Sequence, residues 1–167
     1  MLGLRHSIFK VALLCIALGS KTADTATLEG KLVGVSDGDT ITVLSNGNEQ
    51  THVRIMGIDA PEKKQAYGQR SKQSMSECAF GKTVAVEWNK KDRYGRTIGK
   101  VIAEGVDCGL SQIELGMAWH YKTYAREQST ADRDAYSNAE TNARAKKMGL
   151  WFDSNPEAPW TFRHRGQ

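Results

Sequence analysis

Apolar and polar residues alternate with period two in several short stretches of the chain, the signature of half-buried strands. Leu28 to Val35 reads as a first strand. Ile41 and Val43 alternate with Thr40 and Thr42 as a second, and a third runs from about Glu49 through Val53 and Ile55 to Gly57. Val84, Val86 and Trp88 alternate as a fourth, and Thr97 to Ala103 forms a fifth. Between the second and third stands Ser45-Asn46-Gly47-Asn48, whose Asn-Gly pair is the strongest short hairpin signal.

Three helices interrupt or follow these strands. Tyr67 to Ala79 reads as the first, stopped by Gly81; Asp107 caps a short second one to Leu115, with Gly116 after it. Ser129 or Thr130 caps a third, running to about Lys147 with Gly149 beyond. Ala131, Ala135, Ala139 and Ala143 recur on it at i, i+4 spacing, a narrow stripe expected to lie against the sheet. Met117 to Tyr121 is short, apolar and expected to be extended, with Trp119 and Tyr121 in the core. Five strands with a helix between the third and fourth predict an α+β fold, a five-stranded Greek-key barrel of the OB type with three helices.

The N-terminus follows a different rule. Arg5, His6 and Lys10 precede the apolar run from Val11 to Leu18, and small residues follow. Residues 1–19 therefore read as a secretory signal, too short to span a bilayer. Residues 20–27 read as a polar linker, 28–152 as the barrel domain, and 153–167, with Pro156 and Pro159, as an irregular tail. A secreted or periplasmic protein is expected.

At 167 residues the chain suits one compact domain with extras, and 40% hydrophobic with 25% charged residues is ordinary for a soluble protein. The net charge is +4 and the pI about 9.0. The first nineteen residues carry Arg5 and Lys10 and no acid, so their loss brings +4 to +2. Local clusters say more than the total does: Lys90-Lys91-x-Arg93 and Arg163-His164-Arg165 could track a nucleic-acid backbone, although the second reads equally as a solvated face. Cys78 and Cys108 are too few for a structural zinc site, and His52, His120 and His164 lack metalloprotease spacing, which makes a zinc hydrolase a poor fit.

The chemistry concentrates where strands end. Arg54-Ile-Met-Gly-Ile-Asp59-Ala-Pro-Glu62 carries one guanidinium and two carboxylates into a rigid X-Pro corner. Asp37-Gly38-Asp39-Thr40 is a second acidic turn, and Asp92-Arg93-Tyr94-Gly95-Arg96 a charged one between strands. Each has a plain structural reading: a β-turn, a surface ion pair, a turn cation. An EF-hand loop is excluded, because Thr42 stands where that loop needs glycine. Carboxylates and arginines meeting at strand ends would set a cation site against an anion site, the equipment of phosphodiester chemistry.

In this order, with Gly149-Leu150-Trp151 after the last helix, the three segments resemble the motifs of the staphylococcal nuclease family from about Leu28 to Trp151. The resemblance implies a calcium-dependent nuclease acting on DNA and RNA and leaving 3′-phosphate ends. It gives Asp39, Asp59 and the Ala60 carbonyl as calcium ligands, Arg54 and Arg96 as phosphate-binding arginines, and Glu62 as the residue that positions or deprotonates the attacking water. Tyr94 and Tyr124 match tyrosines near the nucleotide, whereas Lys122 stands at a further tyrosine position and Ala60 at one often occupied by threonine. By the same alignment Cys78 and Cys108 replace core-facing apolar residues, and in an oxidising compartment they are expected to pair. A monomer is expected. The competing expectation is a non-catalytic OB-fold module binding nucleic acid or glycans, which would not need the Asp/Arg/Glu set.

Overall fold

The computed structural model describes residues 25–45 and 47–165. The expected signal segment, most of the linker and Asn46 of the hairpin lie outside them. β1 (Ala26–Val35) begins two residues inside the stretch expected as linker. Its second half pairs antiparallel with β2 (Thr40–Leu44), and its first half with β5 (Thr83–Lys91). A register shift between Leu32 and Gly34 bends the strand between its two partners. β2 pairs with β3 (Gln50–Ile55), and β5 with β6 (Thr97–Ala103). A parallel pairing of β3 with β6, Val53 to Thr97 and Arg54 to Ile98, closes the barrel. The five principal strands therefore match the sequence expectation.

Three short strands finish the framework: β4 (Ile58–Asp59), β7 (Val106–Asp107) and β8 (Trp119–His120). β4 pairs with β8, and β7 with β6. Inward-facing residues of alternating strands, among them Leu32, Ile41, Val43, Val53, Ile55 and Val86, form the core. Burying each such side chain contributes about 1.5–3 kcal/mol.

The helices cap this barrel. α1 (Gly68–Ala79) contributes Met75 and Ala79 to the core, and α2 (Cys108–Glu114) contributes Cys108 and Ile113. Asp107 caps α2 as the sequence predicts, accepting from the backbone N–H of Gly109 and Leu110. Cys78 and Cys108 form a disulfide with Cα atoms 6.0 Å apart, tying α1 to α2.

α3 (Thr130–Ala145) starts at the Ser129 cap but does not pack through the whole alanine stripe. Ala131 and Ala135 are exposed, and the buried face is Tyr136, Ala139, Glu140 and Ala143. Tyr136 wins because its ring fills the core while its hydroxyl donates to the Asp107 carboxylate at 3.0 Å. The tail departs further from expectation. Pro159 to His164 form a fourth helix, α4, with proline at its first turn, where the missing N–H costs nothing. Among the described residues no helix is long and apolar enough to cross a membrane.

Candidate active site

Strand register assembles the site. Thr40 lies opposite Arg54 in the β2–β3 pairing, so the acidic turn before β2 arrives beside the Arg54 side chain. The turn is self-bracing: Asp37 Oδ1 accepts from the Asp39 N–H at 3.1 Å, and Thr40 Oγ1 donates to Asp39 Oδ1 at 3.1 Å. Gly38 has no room for a side chain, since a Cβ there would lie 1.8 Å from Ser71 Oγ. The glycine lets the turn sit directly on α1.

β3 then ends in a reversal at Gly57, whose φ of +78° favours glycine. The reversal sends Asp59 back beneath Arg54. Arg54 Nη2 lies 3.0 Å from Asp59 Oδ1 and 3.2 Å from Asp39 Oδ2. Its Nη1 donates to the carbonyls of Ile55 and Ile58 at 3.0 and 2.8 Å. One planar fork thus joins two carboxylates from different loops to the reversal between them.

Both aspartates are deeply buried, Asp39 at 6% and Asp59 at 1% exposure. Asp39 Oδ2 also accepts from the Ala60 N–H at 2.7 Å. Burial nevertheless pushes the Asp39 carboxyl up to about 7, against the opposing pull of Arg54.

Glu62 follows Pro61 at the rim. Its N–H donates to Gln65 Oε1 at 3.0 Å, and Gln65 Nε2 donates to the Glu157 carbonyl at 2.7 Å, binding this loop to the tail. Across the cleft, the parallel β3–β6 pairing brings up the turn before β6. Arg96 Nε donates to Asp92 Oδ2 at 2.8 Å, and the Asp92 Oδ1 accepts the N–H groups of Tyr94 and Arg96. Burial opposes ionisation of Asp92, but these hydrogen bonds prevail and hold its carboxyl below the usual range.

Asp39, Arg54, Asp59, Ala60, Glu62, Tyr94, Arg96 and Tyr124 all line one cavity of about 810 Å³. That volume lies in the range of ligand sites, about 300–1,000 Å³. Tyr94 is 68% exposed, with the Arg93 and Arg96 guanidinium groups 4.9 and 5.6 Å from its ring centre. Lys90, Lys91 and Arg93 extend the basic wall, although Lys90 is paired with Glu127. Lys122 is turned to the buried Glu140, 2.8 Å away.

Two features differ from expectation. Tyr121 is a wall of the cavity instead of core, because its N–H bonds to the Gly57 carbonyl at 2.8 Å and keeps it at the reversal. Trp119 is packed in hydrophobic core as expected, on Trp151 in a smaller second cluster. The tail enters the site: Trp160, Arg163 and His164 line the same cavity. Trp160 stacks on Tyr121, centroids 5.6 Å apart and planes 20° apart. Arg163 donates to both oxygens of Asp59 and to Glu62 Oε1, at 3.2, 2.8 and 2.8 Å. The Arg163-His164-Arg165 cluster and Pro159 are visible in the sequence, but nothing local reveals where that helix docks.

Fold and site together define an OB-type barrel carrying a buried Asp–Arg–Asp constellation that faces a basic turn. Residues 52–153 match the family described as Staphylococcal nuclease homologue. An uncharacterized endonuclease of Haemophilus influenzae is 42% identical over 135 residues, covering 81% of this chain and 72% of that protein. An uncharacterized endonuclease of Escherichia coli O157:H7 is 39% identical, covering 84% and 88%. A micrococcal nuclease of Shigella flexneri is 37% identical, covering 83% and 82%. The chain belongs to the staphylococcal nuclease family.

Proposed function

We propose that the protein is an exported, calcium-dependent nuclease that hydrolyses phosphodiester bonds in DNA and RNA, leaving 3′-phosphate ends. The observation that carries this reading is the Arg54 fork between Asp39 and Asp59, in one cavity with Arg96 and Glu62. The names of the relatives support the nuclease activity. The apolar run near the N-terminus supports export.

The donor set suits a hard cation. Two buried aspartates and the Ala60 carbonyl would supply the oxygen ligands that a hard divalent ion takes. Among the described residues no three His, Cys, Asp or Glu side chains converge as a metal cluster, so the remaining positions would fall to water and a substrate oxygen. When bound, calcium supplies Lewis-acid polarisation of the phosphoryl group.

The chain's own groups do the rest. Arg54 and Arg96 present fixed donors to phosphate oxygens and to the charge that grows on them in the transition state. Asp92 keeps Arg96 oriented through its Nε, leaving the other guanidinium nitrogens for substrate. Glu62, about a third exposed at the rim and paired there with Arg163, would orient a water or take its proton. Tyr94 and Tyr124 are exposed faces on which a base can stack.

Incubating the mature protein with plasmid DNA tests the reading. Nicking with calcium, loss with chelator and a weaker effect with magnesium are expected, since magnesium sheds its waters reluctantly. Full activity in excess chelator would overturn the metal assignment. Products with 3′-hydroxyl ends, detected by end-labelling, would overturn the bond-cleavage assignment.

A further inference from the structure

α4 lies beyond the matched residues 52–153, yet it reaches the centre of the site. Two sets of contacts hold it there. Trp160 stacks on Tyr121 and meets Trp119 edge-on at 5.4 Å, and the Glu157 carbonyl just ahead of the helix accepts from Gln65. Arg165 pairs with the Glu157 carboxylate at 2.9 Å, a contact within the tail itself that does not tie the helix to the barrel. So placed, Arg163 puts one guanidinium nitrogen on each oxygen of Asp59 and shares one of them with Glu62. Asp59 Oδ1 also receives Arg54. Both oxygens of this 1% exposed carboxylate are therefore engaged by fixed cations.

We propose that Arg163 is an internal counter-cation that sets the divalent-metal affinity of the site by competing for Asp59. This rests on the reading of Asp59 as a metal ligand. A guanidinium and a divalent ion on the same carboxylate repel each other at close range, where little water intervenes to screen them. Metal binding and the grip of Arg163 oppose each other, and the coupling is reciprocal: calcium loosens α4 from the site by as much as α4 weakens calcium. A short helix outside the matched region thereby becomes an active-site element. Trp160 supplies its docking surface and Arg163 its charge.

Calorimetric titration of the mature protein with calcium alone, without substrate, tests this. Arg163→Gln should tighten calcium binding by about 5–150-fold, the usual span of such couplings. Arg163→Lys, which keeps the charge but loses the fork, should fall between. Arg165→Gln removes the same charge from the same helix without freeing Asp59 and should leave the affinity near native. Unchanged or weaker binding in Arg163→Gln, or equal tightening in Arg165→Gln, would overturn the proposal. If Arg163→Gln does not fold, Arg163→Lys decides alone: tighter binding than native supports it, equal or weaker binding overturns it. Binding by no variant, the native protein included, overturns the calcium reading as well as this one; equal binding by all overturns only this one.

Discussion

The side-chain amide of Gln112 donates to the carbonyl of Gly38 at 2.9 Å, across 74 residues of sequence. The same nitrogen reaches the Ser71 carbonyl at 2.9 Å and its hydroxyl at 3.2 Å. Gln112 is 1% exposed, so it clamps the acidic turn to α1 from inside the protein. Gln112→Ala strands those acceptors without water, at a cost of about 1–3 kcal/mol. For a domain of this size each kcal/mol moves the melting temperature by about 2–4 °C. The adjacent Asp39 should lose its fixed position, and with Asp39 a calcium ligand as proposed, calcium affinity should fall as well. Unaltered melting and unaltered affinity would show that the clamp is idle.

The contrast between Gln112 and Asp107 explains what the sequence could disclose. Asp107 caps the helix that starts at the next residue, and Ser129 does the same for α3, so both signals are local and readable. The alternation in β2, β3 and β6 is equally local, and it carried the barrel. Arg54, Asp39 and Asp59 were legible as a constellation because their spacing resembles a known family. Gln112, Gln65 and Arg163 act across 74, 92 and 104 residues, through contacts that leave no periodic trace. The alanine stripe misled for a related reason. Helical spacing locates a face, but Tyr136, one position from Ala135, found both core volume and a hydrogen-bond partner.

Arg54 makes contacts that lysine cannot reproduce. Its fork reaches two carbonyls and two carboxylates at once, whereas an ammonium is a single point of charge. Arg54→Lys should lower turnover by about 10²–10³-fold, the usual cost of one oriented transition-state donor. It should also lower the melting temperature. Arg96→Lys should lower turnover with little change in melting, because Arg96 sits on an outer turn and its ion pair is with the neighbouring Asp92. Glu62→Gln should reduce kcat by about 10²–10⁴-fold with limited loss of substrate binding. Steady-state kinetics beside thermal melts separate these effects; native kcat in Arg96→Lys would remove it from the mechanism.

Lys100 and Asp132 pair at 2.6 Å between β6 and the first turn of α3. Burial opposes both charges, but their mutual hydrogen bond, with Asp107 beside Lys100 and the Ser129 hydroxyl on Asp132, prevails, raising the Lys100 pKa and lowering that of Asp132. A depressed carboxyl stabilises the fold above its unfolded value of 3.8, and that contribution is lost as pH falls through the folded value. A raised amine stabilises the fold below 10.5, and its contribution is lost as pH rises through the folded value. The coupling between the two in a double-mutant cycle should therefore be level from about pH 5 to 9 and fade at both extremes. With both groups partly solvated it should amount to about 0.5–1 kcal/mol. A coupling that keeps growing below pH 4 would contradict the assignment.

The Cys78–Cys108 bridge should act on stability far more than on chemistry. It joins the C-terminal part of α1 to the first residue of α2, and neither cysteine lines the cavity. The bridge closes a sequence separation of 30. Restricting the unfolded chain to that loop stabilises the fold by about 3–4 kcal/mol in the chain-entropy treatment. The loop contains β5 and β6, so the unfolded chain of the reduced protein regains freedom in the middle of the barrel. Reduction also leaves the Cys108 thiol in the core, 0% exposed, where cysteine behaves as a small apolar group. The reduced protein should therefore still fold, but melt lower by about 2–4 °C for each kcal/mol lost. Nuclease activity in the cold should stay near that of the oxidised protein, since Gln112 and the Arg54 fork remain in place. Paired melts and activity assays with and without reductant measure both. Loss of activity at a temperature where the reduced protein remains folded would mean that the bridge also positions the site.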